Sequence, residues 1–281
     1  MLLDIVRELE GKSREDRREV IVHILKEAGV EPVFHRYRSG INIFVPSKRD
    51  LEIGISSHYD AVPKSPGAND NGSAIAVTLD VLQRFHANPL TRIGVRYFFF
   101  DEEEKNLKGS LAYVHDYEAP TLIGLYNMEM VGAGDRLALW DVSDEQKSIL
   151  LNTLEEQALL RDIPTYRFRQ VMFNAADHRA FTMAGMVDAF TLTLLSEGDM
   201  AAATRYLEIL RKKKRPNVID AVRSWNFIQK SPLFQNYHKP TDTSDHLRED
   251  ALQLVSDLLY DSILYIDQNE DLTRFEDLAD I

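Results

Sequence analysis

The chain has 281 residues, of which 44% are hydrophobic, and its formal net charge at pH 7 is -12. This length and apolar content allow a sizeable buried core, and one elaborated domain over residues 1–281 is the expected organisation. The acidic balance argues against a nucleic-acid partner, which would need a basic face. The chain has no cysteine, so disulfides, thiolate metal sites and cysteine nucleophiles are excluded, and any metal must be held by His, Asp or Glu.

The N-terminal stretch and the rest of the chain lack the apolar runs that signal peptides and membrane spans require. The first residues, MLLDIVRELEGKSRED, carry a charge from the fourth position onward. A signal peptide needs an uninterrupted apolar segment, and a membrane helix needs about 20 apolar residues. We therefore expect no membrane partner and a cytoplasmic location.

Apolar residues at helical spacing predict two amphipathic helices over residues 2–28, with a break near Gly11 and an end at Gly29. The β-type runs that follow are VFHRYR, INIFVP, LEIGISSH, GVRYFFF, LIGLYNMEMV, RLALWDV and DAFTLTLL. Helices over 73–86 and 144–160 separate several of these strands, and a last helix covers DALQLVSDLLYDSILYI. This alternation predicts an α/β fold: a three-layer domain with a mixed, mostly parallel sheet and helices on both faces.

Residues 197–236 interrupt this alternation and predict two helices between the last strand and His238. We interpret this segment as a helical insertion that forms a lid over the carboxyl ends of the strands. The aromatic candidates for lining a pocket beneath it are Trp225, Phe227 and Phe234. Packing of the insertion onto the body is the alternative explanation for each of them. The basic run 211–215 is either a solvated helix end or a site for a peptide carboxylate.

Acidic and imidazole side chains follow several predicted strands at the point where each strand ends. His58 and Asp60 follow one strand, residues 102–104 are three glutamates after the next, and Glu129 ends a third. Each has an ordinary explanation taken singly, because a lone histidine is usually hydrogen-bonded and a charge run is usually solvated. The carboxyl ends of parallel strands meet at one edge, however, and imidazole and carboxylate groups are ligands of divalent ions. The pattern favours a metal site at this edge.

These motifs, in their order, resemble those of the co-catalytic di-zinc aminopeptidases. They are HYD at 58–60, GANDNGS at 67–73, DEEEKNLKGS at 101–110, NMEMVG at 127–132, DH at 177–178 and HKPTDT at 238–243. Over residues 40–265 the chain is similar to the bacterial leucine aminopeptidase family, whose relatives include glutaminyl cyclase and glutamate carboxypeptidase. The resemblance implies the zinc-exopeptidase type of α/β fold.

The resemblance also implies a role for each residue, with two divalent ions per chain and zinc as the expected metal. The implied ligands are His58 and Glu129 for one ion, Glu104 and His238 for the other, and Asp70 for both. Glu103 would be the general base, and Asp60 would stand behind His58 as a further catalytic group. A cis peptide bond between Asp70 and Asn71 is implied as well.

Several positions depart from the family's pattern. Glu129 stands where aspartate is usual, and Phe173 stands near a position that carries a tyrosine hydroxyl in some members. Glu102 and Asn106 replace common glycines, which predicts a reshaped loop. The pair Asp177-His178 is retained, and both a structural hydrogen-bonded pair and a direct part in chemistry remain open for it.

The resemblance implies a metal-dependent aminopeptidase that hydrolyses the N-terminal bond of short peptides with a free N-terminus. One alternative is a glutaminyl cyclase-like acyltransferase, which uses a single zinc and no activated water. The other alternative is a catalytically silent binding relative, whose expected signature is the loss of ligands. All five ligand positions and the base position hold competent side chains here.

Overall fold

The computed structural model describes residues 1–117, 121–169, 176–212, 228–273 and 275. Its helices are α1 (Leu2–Leu9), α2 (Arg14–Glu27), α3 (Ala74–Ala87), α4 (Lys108–Asp116), α5 (Ile149–Leu160), α6 (His178–Met183), α7 (Glu197–Lys212) and α8 (Glu249–Asn269). Its strands are β1 (Val33–Arg36), β2 (Ile41–Val45), β3 (Glu52–His58), β4 (Gly94–Phe100), β5 (Leu122–Met128), β6 (Arg136–Trp140), β7 (Thr165–Phe168) and β8 (Ala189–Leu195). Within these ranges no helix is long and apolar enough to cross a membrane.

The strands form one eight-stranded sheet in the order β1-β2-β4-β3-β5-β8-β6-β7. Strand β3 pairs in parallel with both β4 and β5, β5 pairs in parallel with β8, and β6 with β7. The remaining pairs, β1 with β2, β2 with β4 and β6 with β8, are antiparallel. The mixed, mostly parallel sheet expected from the sequence is therefore confirmed.

Helices cover both faces of this sheet, as the alternation of elements predicts. Successive residues of a strand point to opposite faces, and β4 divides its aromatic residues accordingly. Phe98 and Phe100 pack with Tyr113 of α4 and Phe181 of α6. Phe99 belongs to the larger cluster that joins the sheet to α1, α3, α5 and α8. The core thus consists of two apolar layers with the sheet between them.

Three elements were not predicted, and one predicted boundary was wrong. Strand β7 has four residues, of which only Phe168 is buried, so it lacks the apolar run that marks an inner strand. Helices α4 and α6 are short and carry no clear apolar stripe in the sequence. Helix α5 begins at Ile149, with Ser148 at its N-cap position, instead of at 144. The charged residues before Ser148 favour solvent over a helix packed on the sheet.

The insertion begins with a helix, as expected, since α7 starts at Glu197. The second predicted helix, with Trp225 and Phe227, falls largely on 213–227, outside the described residues, as does most of the basic run 211–215. Phe234 is buried in a cluster with Trp140 and other side chains of the sheet. For Phe234 the packing explanation is therefore the correct one.

Candidate metal centre

Three neighbouring strands deliver the acidic and imidazole residues to one edge of the sheet. Strands β4, β3 and β5 are adjacent, and His58 at the end of β3 pairs with Phe100 at the end of β4. The three glutamates at 102–104 follow β4 directly, and Glu129 follows the last residue of β5. Parallel pairing therefore brings these side chains together, as the sequence predicts.

The five predicted ligands form two groups that share Asp70. In the first group, His58 Nε2 lies 3.2 Å from Glu129 Oε2 and 3.3 Å from Asp70 Oδ1. In the second group, His238 Nε2 lies 3.0 Å from Glu104 Oε1 and 3.2 Å from Asp70 Oδ2. The two oxygens of one carboxylate thus face two different imidazoles.

These separations fit metal coordination. Zinc ligands at bond lengths of about 2.0–2.1 Å in a tetrahedral shell are about 3.3–3.4 Å from one another, close to the separations between the donor atoms here. His238 Nε2 and Glu104 Oε1 are both buried, and each lies close to another donor atom of the group. Imidazole nitrogens and carboxylate oxygens are ligands of divalent ions, so the donor set is suited to a divalent ion at each group.

The turn that presents Asp70 is held by hydrogen bonds from several sides. The Asp70–Asn71 peptide bond is cis, as the resemblance implies. The backbone N–H groups of Asn69 and Asp70 donate to the Asp242 carboxylate at 2.9 and 3.2 Å. The Asn71 side chain donates to Glu129 Oε2 at 2.9 Å. This turn therefore carries one proposed ligand of the first group, Asp70, and holds another, Glu129, by a hydrogen bond.

Asp60 does more than stand behind His58. His58 Nδ1 lies 3.1 Å from the Asp60 backbone oxygen and 3.4 Å from its Oδ1. The Asp60 carboxylate also accepts the backbone N–H of Glu103 at 3.0 Å and that of Glu104 at 3.2 Å. A buried residue thus orients one ligand and fixes the backbone of the acidic loop. The sequence indicated only the contact with His58.

Glu103 faces the centre and Glu102 faces away from it. Glu103 is buried, and its Oε2 lies 3.9 Å from His58 Nε2. Glu102 instead pairs with Arg14 and Lys105 at 3.2 and 2.8 Å. Glu102 and Asn106 both have positive φ values, 56° and 67°, so they keep the left-handed backbone that favours glycine. The loop has the backbone of a glycine-containing turn at these two positions.

Burial and like charges raise the pKa values of Glu103 and Glu104. Burial raises the pKa of Glu103 well above its usual range, and Glu129 raises it further while His58 opposes the shift. Burial and the charge of Asp70 raise the pKa of Glu104 to about 7, against the hydrogen bond from His238. Such carboxylates are poorly solvated by water, so binding of cations would relieve an unfavourable concentration of negative charge.

The pKa values of the two imidazoles are raised as well, because their acidic neighbours outweigh the effect of burial. Burial acts to lower the pKa of His58, but the charges of Glu129 and Glu103 outweigh it and raise the pKa well above its usual value. Burial is likewise outweighed at His238, where the hydrogen bonds to Asp70 and Glu104 raise the pKa to about 10. Without a metal the two histidines serve as the counter-ions of the carboxylates.

Tyr237 belongs to the site and was not singled out from the sequence. Its ring stacks on the His238 imidazole with centroids 3.8 Å apart and an interplanar angle of 24°. Burial raises its pKa, and the charges of Asp70 and Glu104 raise it further, so the phenol remains protonated. An aromatic residue before a histidine is more often a packing residue, and the sequence offers no stronger signal. Phe173 lies outside the described residues.

Arg17 supports the site from α2. It is 1% exposed, and its guanidinium donates to the backbone oxygens of Gly67, at 3.0 Å, and Pro66. Gly67 has a φ of 65°, and a Cβ there would lie 2.5 Å from Arg17 Nη2. The sequence does contain a signal for Arg17, because it shares the buried stripe of α2 with Val20 and Ile21.

Asp177 and His178 are both fully buried at the start of α6. Burial raises the pKa of Asp177 to about 7, although the charge of His58 opposes the shift. Neither carboxylate oxygen of Asp177 has a hydrogen-bond partner within the described part of the chain. His178 is hydrogen-bonded through both ring nitrogens. The two neighbours thus have different environments.

Fold and site together define an α/β domain that carries, at the carboxyl edge of its sheet, two adjoining groups of carboxylate and imidazole side chains that could hold metal ions. The chain belongs to peptidase family M28, whose family profile matches residues 41–263. It is 27% identical over 212 residues to the aminopeptidase YwaD of Bacillus subtilis, covering 73% of this chain. The chain spans only 39% of the length of that relative.

Solved structures with the same fold include both aminopeptidases and cyclases. A zinc aminopeptidase from Bacillus subtilis matches with a TM-score of 0.60 and 22% identity, over 83% of this chain and 51% of the other. The glutaminyl cyclase of Porphyromonas gingivalis matches with a TM-score of 0.66 and 13% identity, over 93% and 96% of the two chains. At these identities the likeness shows the fold, which confirms the zinc-exopeptidase type of architecture.

Proposed function

We propose that the chain is a metal-dependent aminopeptidase that binds two divalent ions, with zinc as the expected metal, and cleaves the N-terminal peptide bond of short peptides. The observation that carries the proposal is the position of Asp70, with one oxygen toward His58 and the other toward His238. A carboxylate between two imidazole groups is suited to bridging a pair of ions. A site for a single ion would need only one of the two groups of donor atoms.

The proposed ligands are His58 and Glu129 on one side, Glu104 and His238 on the other, and Asp70 between them. When bound, the two ions would polarise the scissile carbonyl and lower the pKa of the attacking water. Glu103 is the proposed general base, which takes the proton of that water and delivers it to the leaving amine. Burial raises its pKa, and a raised pKa suits a carboxylate that both accepts a proton and gives it up again.

Two further features support peptide hydrolysis at a free N-terminus. The cluster of acids attracts the ammonium group of a substrate, which explains exopeptidase action without an added recognition domain. The Tyr237 hydroxyl, kept protonated beside the site, is a candidate hydrogen-bond donor to the oxyanion that develops on the scissile carbonyl. Tyr237 would then supply the hydroxyl that Phe173 lacks.

We further propose that residues 197–236 form a lid that limits substrate length, and that the protein acts in the cytoplasm. In support of the lid, the segment ends just before Tyr237 and His238, and its described part packs on β6 and β8 through Met200 and Phe234. A segment that is anchored on the sheet and followed directly by a proposed ligand is suited to covering the site.

A glutaminyl cyclase-like acyltransferase is the second candidate. The specific observation in its favour is that the Porphyromonas gingivalis cyclase structure is covered almost completely, 96%, whereas the zinc aminopeptidase is covered to 51%. The presence of a complete second ligand group favours hydrolysis. The silent binding relative is less well supported, because the structure brings the ligands and Glu103 together.

A substrate panel tests the proposal. Purified protein with added zinc is offered aminoacyl amides, dipeptides and longer unfolded peptides, each with a free and with an acetylated N-terminus, together with N-terminal glutaminyl peptides. We expect release of the first residue from free N-termini only, with rates that fall as peptides lengthen beneath the lid. Cyclisation of glutaminyl peptides without hydrolysis of the others would contradict the aminopeptidase proposal, and equal rates at all lengths would contradict the lid.

A further inference from the structure

A chain of buried hydrogen bonds connects Glu129 with His178, 49 positions later along the sequence by their residue numbers. Asn127 Nδ2 lies 3.3 Å from Glu129 Oε1 and 2.9 Å from Thr191 Oγ1. Thr191 Oγ1 lies 2.7 Å from His178 Nδ1, and His178 Nε2 lies 3.1 Å from Asp141 Oδ2. This series of hydrogen bonds thus begins at a proposed metal ligand, Glu129, and continues through residues of β5, β8 and α6.

The direction of every bond in this chain follows from its two ends. The Asp141 carboxylate also accepts from Arg179 at 2.7 Å, so it must accept the N–H of His178 Nε2 as well. Burial lowers the pKa of His178, so its ring stays neutral and Nδ1 is an acceptor. The Thr191 hydroxyl therefore donates to His178, and its oxygen accepts one N–H of Asn127.

The partner of the second N–H of the Asn127 side-chain amide follows in the same way. Asn127 Oδ1 accepts the Ser56 hydroxyl at 2.6 Å, which places the amide nitrogen toward Thr191 and Glu129. One N–H of Asn127 is used by Thr191, and the other N–H is directed at Glu129 Oε1. Ser56, Asn127, Thr191 and His178 are all fully buried, so water does not compete for these bonds.

We infer that His178 is a positioning residue for Glu129, acting through Thr191 and Asn127. This inference rests on the proposed function, in which Glu129 is a metal ligand. Glu129 is longer than the aspartate usual in the family, and its extra rotatable bond must be restrained. The Asn127 amide restrains Oε1 while Asn71 holds Oε2 at 2.9 Å. The orientation of the His178 ring therefore sets the direction in which Glu129 presents its oxygens to the ion.

The test is zinc affinity, measured by competition with a chromophoric chelator on folded, metal-free protein. Thr191→Val removes the hydroxyl at nearly constant shape, and Thr191→Ser keeps it. Groups that orient metal ligands typically contribute about 10- to 100-fold in affinity. Thr191→Val should therefore lower the affinity for one of the two zinc ions by that factor. Thr191→Ser should bind both ions within about threefold of the wild type. Thermal unfolding of each metal-free variant verifies that it is folded.

A second pair of variants tests His178 itself. His178→Asn keeps an acceptor near the Nδ1 position for Thr191, whereas His178→Gln keeps a donor near the Nε2 position for Asp141. Both variants remove the ring, so they share the cost of the lost packing. We expect His178→Gln to lower the affinity for one of the two zinc ions at least tenfold more than His178→Asn does. Equal zinc affinities within either matched pair would overturn the inference. If the wild type itself binds fewer than two ions, the proposed function fails instead.

Discussion

At the scale of single residues, position within the acidic run 101–104 determines chemical role. Asp60 accepts the backbone N–H groups of Glu103 and Glu104, and this anchors the loop in one register. Glu103 and Glu104 then face the imidazoles, while Glu102 faces Arg14 and Lys105. The three glutamates therefore differ in their contacts: Glu104 lies 3.0 Å from His238, Glu103 lies 3.9 Å from His58, and Glu102 is paired on the other side of the loop. Of the three, Glu103 is the one that we propose as the base.

The first prediction concerns Glu103. The variant Glu103→Gln keeps the shape of the side chain and removes its basicity, so it should lower kcat by about a hundredfold to ten-thousandfold. Its metal content and unfolding temperature should stay close to those of the wild type. Steady-state hydrolysis of a leucyl amide, with elemental analysis of the same sample, measures both quantities.

Glu102→Gln is the matched control for that prediction, because its side chain is bound to Arg14 on the far side of the loop. We expect a change in kcat of less than about threefold, since a group outside the reaction contributes no proton transfer. Loss of activity in Glu102→Gln together with normal activity in Glu103→Gln would show that the register of the run is wrong.

At the scale of elements, helix α2 supports the candidate metal centre through its arginines. The family profile begins at residue 41, so α2 lies outside the matched region. Arg14 and Arg17 of α2 nevertheless contact the two loops that carry the acids and Asp70. The sequence predicted α2 as an amphipathic helix and could not predict its partners, because these contacts join residues about 50 or more positions apart.

The second prediction follows from this arrangement. Replacement of Arg17 by Met removes the guanidinium hydrogen bonds to the backbone oxygens of Pro66 and Gly67, which keep only the backbone N–H groups of Gly11 and Gly72 as donors among the described residues. A hydrogen bond from a charged group contributes about 1.5–3 kcal/mol. We expect Arg17→Met to lower the unfolding free energy by about that amount or more, as measured by urea denaturation of the metal-free protein. Arg7→Met is the control, because Arg7 is 53% exposed and pairs only with an exposed aspartate among the contacts described. Equal stability of the two variants would be evidence against a supporting role for Arg17.

Sequence periodicity was sufficient to predict most strands of the sheet and its cover of helices on both faces. It failed for β7 and α4, whose stability comes from neighbours more than from an apolar pattern of their own. The motif-bearing strand ends were likewise predictable, because parallel neighbours must place their carboxyl ends at one edge. The roles of the supporting residues were not predictable. Tyr237 belongs to no motif, and the helical stripe that contains Arg17 indicates its burial but not its partners, which are tertiary contacts.

At the scale of the whole molecule, the site concentrates buried carboxyl groups whose ionisation is unfavourable, and metal binding would stabilise their charged forms. Burial raises the pKa values of Glu104, Asp177 and Asp242 to about 7. A carboxyl group with a raised pKa in the folded state contributes stability that is present below its unfolded pKa and is lost as pH rises through the folded value. Since the ordinary pKa values of these side chains are 4.5 for glutamate and 3.8 for aspartate, the loss falls between about pH 4 and 7.

The third prediction is therefore that the metal-free protein becomes less stable as pH rises from about 5 to 8, by a few kcal/mol in order of magnitude. His238, with a pKa raised to about 10, contributes in the same direction above about pH 6.5. His178 has a lowered pKa and opposes the trend, but it is a single group. Urea denaturation at several pH values measures the slope. Greater stability of the metal-free protein at pH 8 than at pH 5 would contradict this account, and saturating zinc should remove the loss at high pH.

The central claim, a two-ion site bridged by Asp70, is tested most directly by titrating zinc into chelator-treated protein while bound zinc and leucyl amide hydrolysis are recorded together. The account predicts that binding saturates at two zinc ions per chain and that full activity requires the second ion. Asp70→Asn, which weakens both groups at once, should fail to retain either ion at the same free zinc concentration. Saturation at one ion per chain, with activity complete at that point, would contradict the claim.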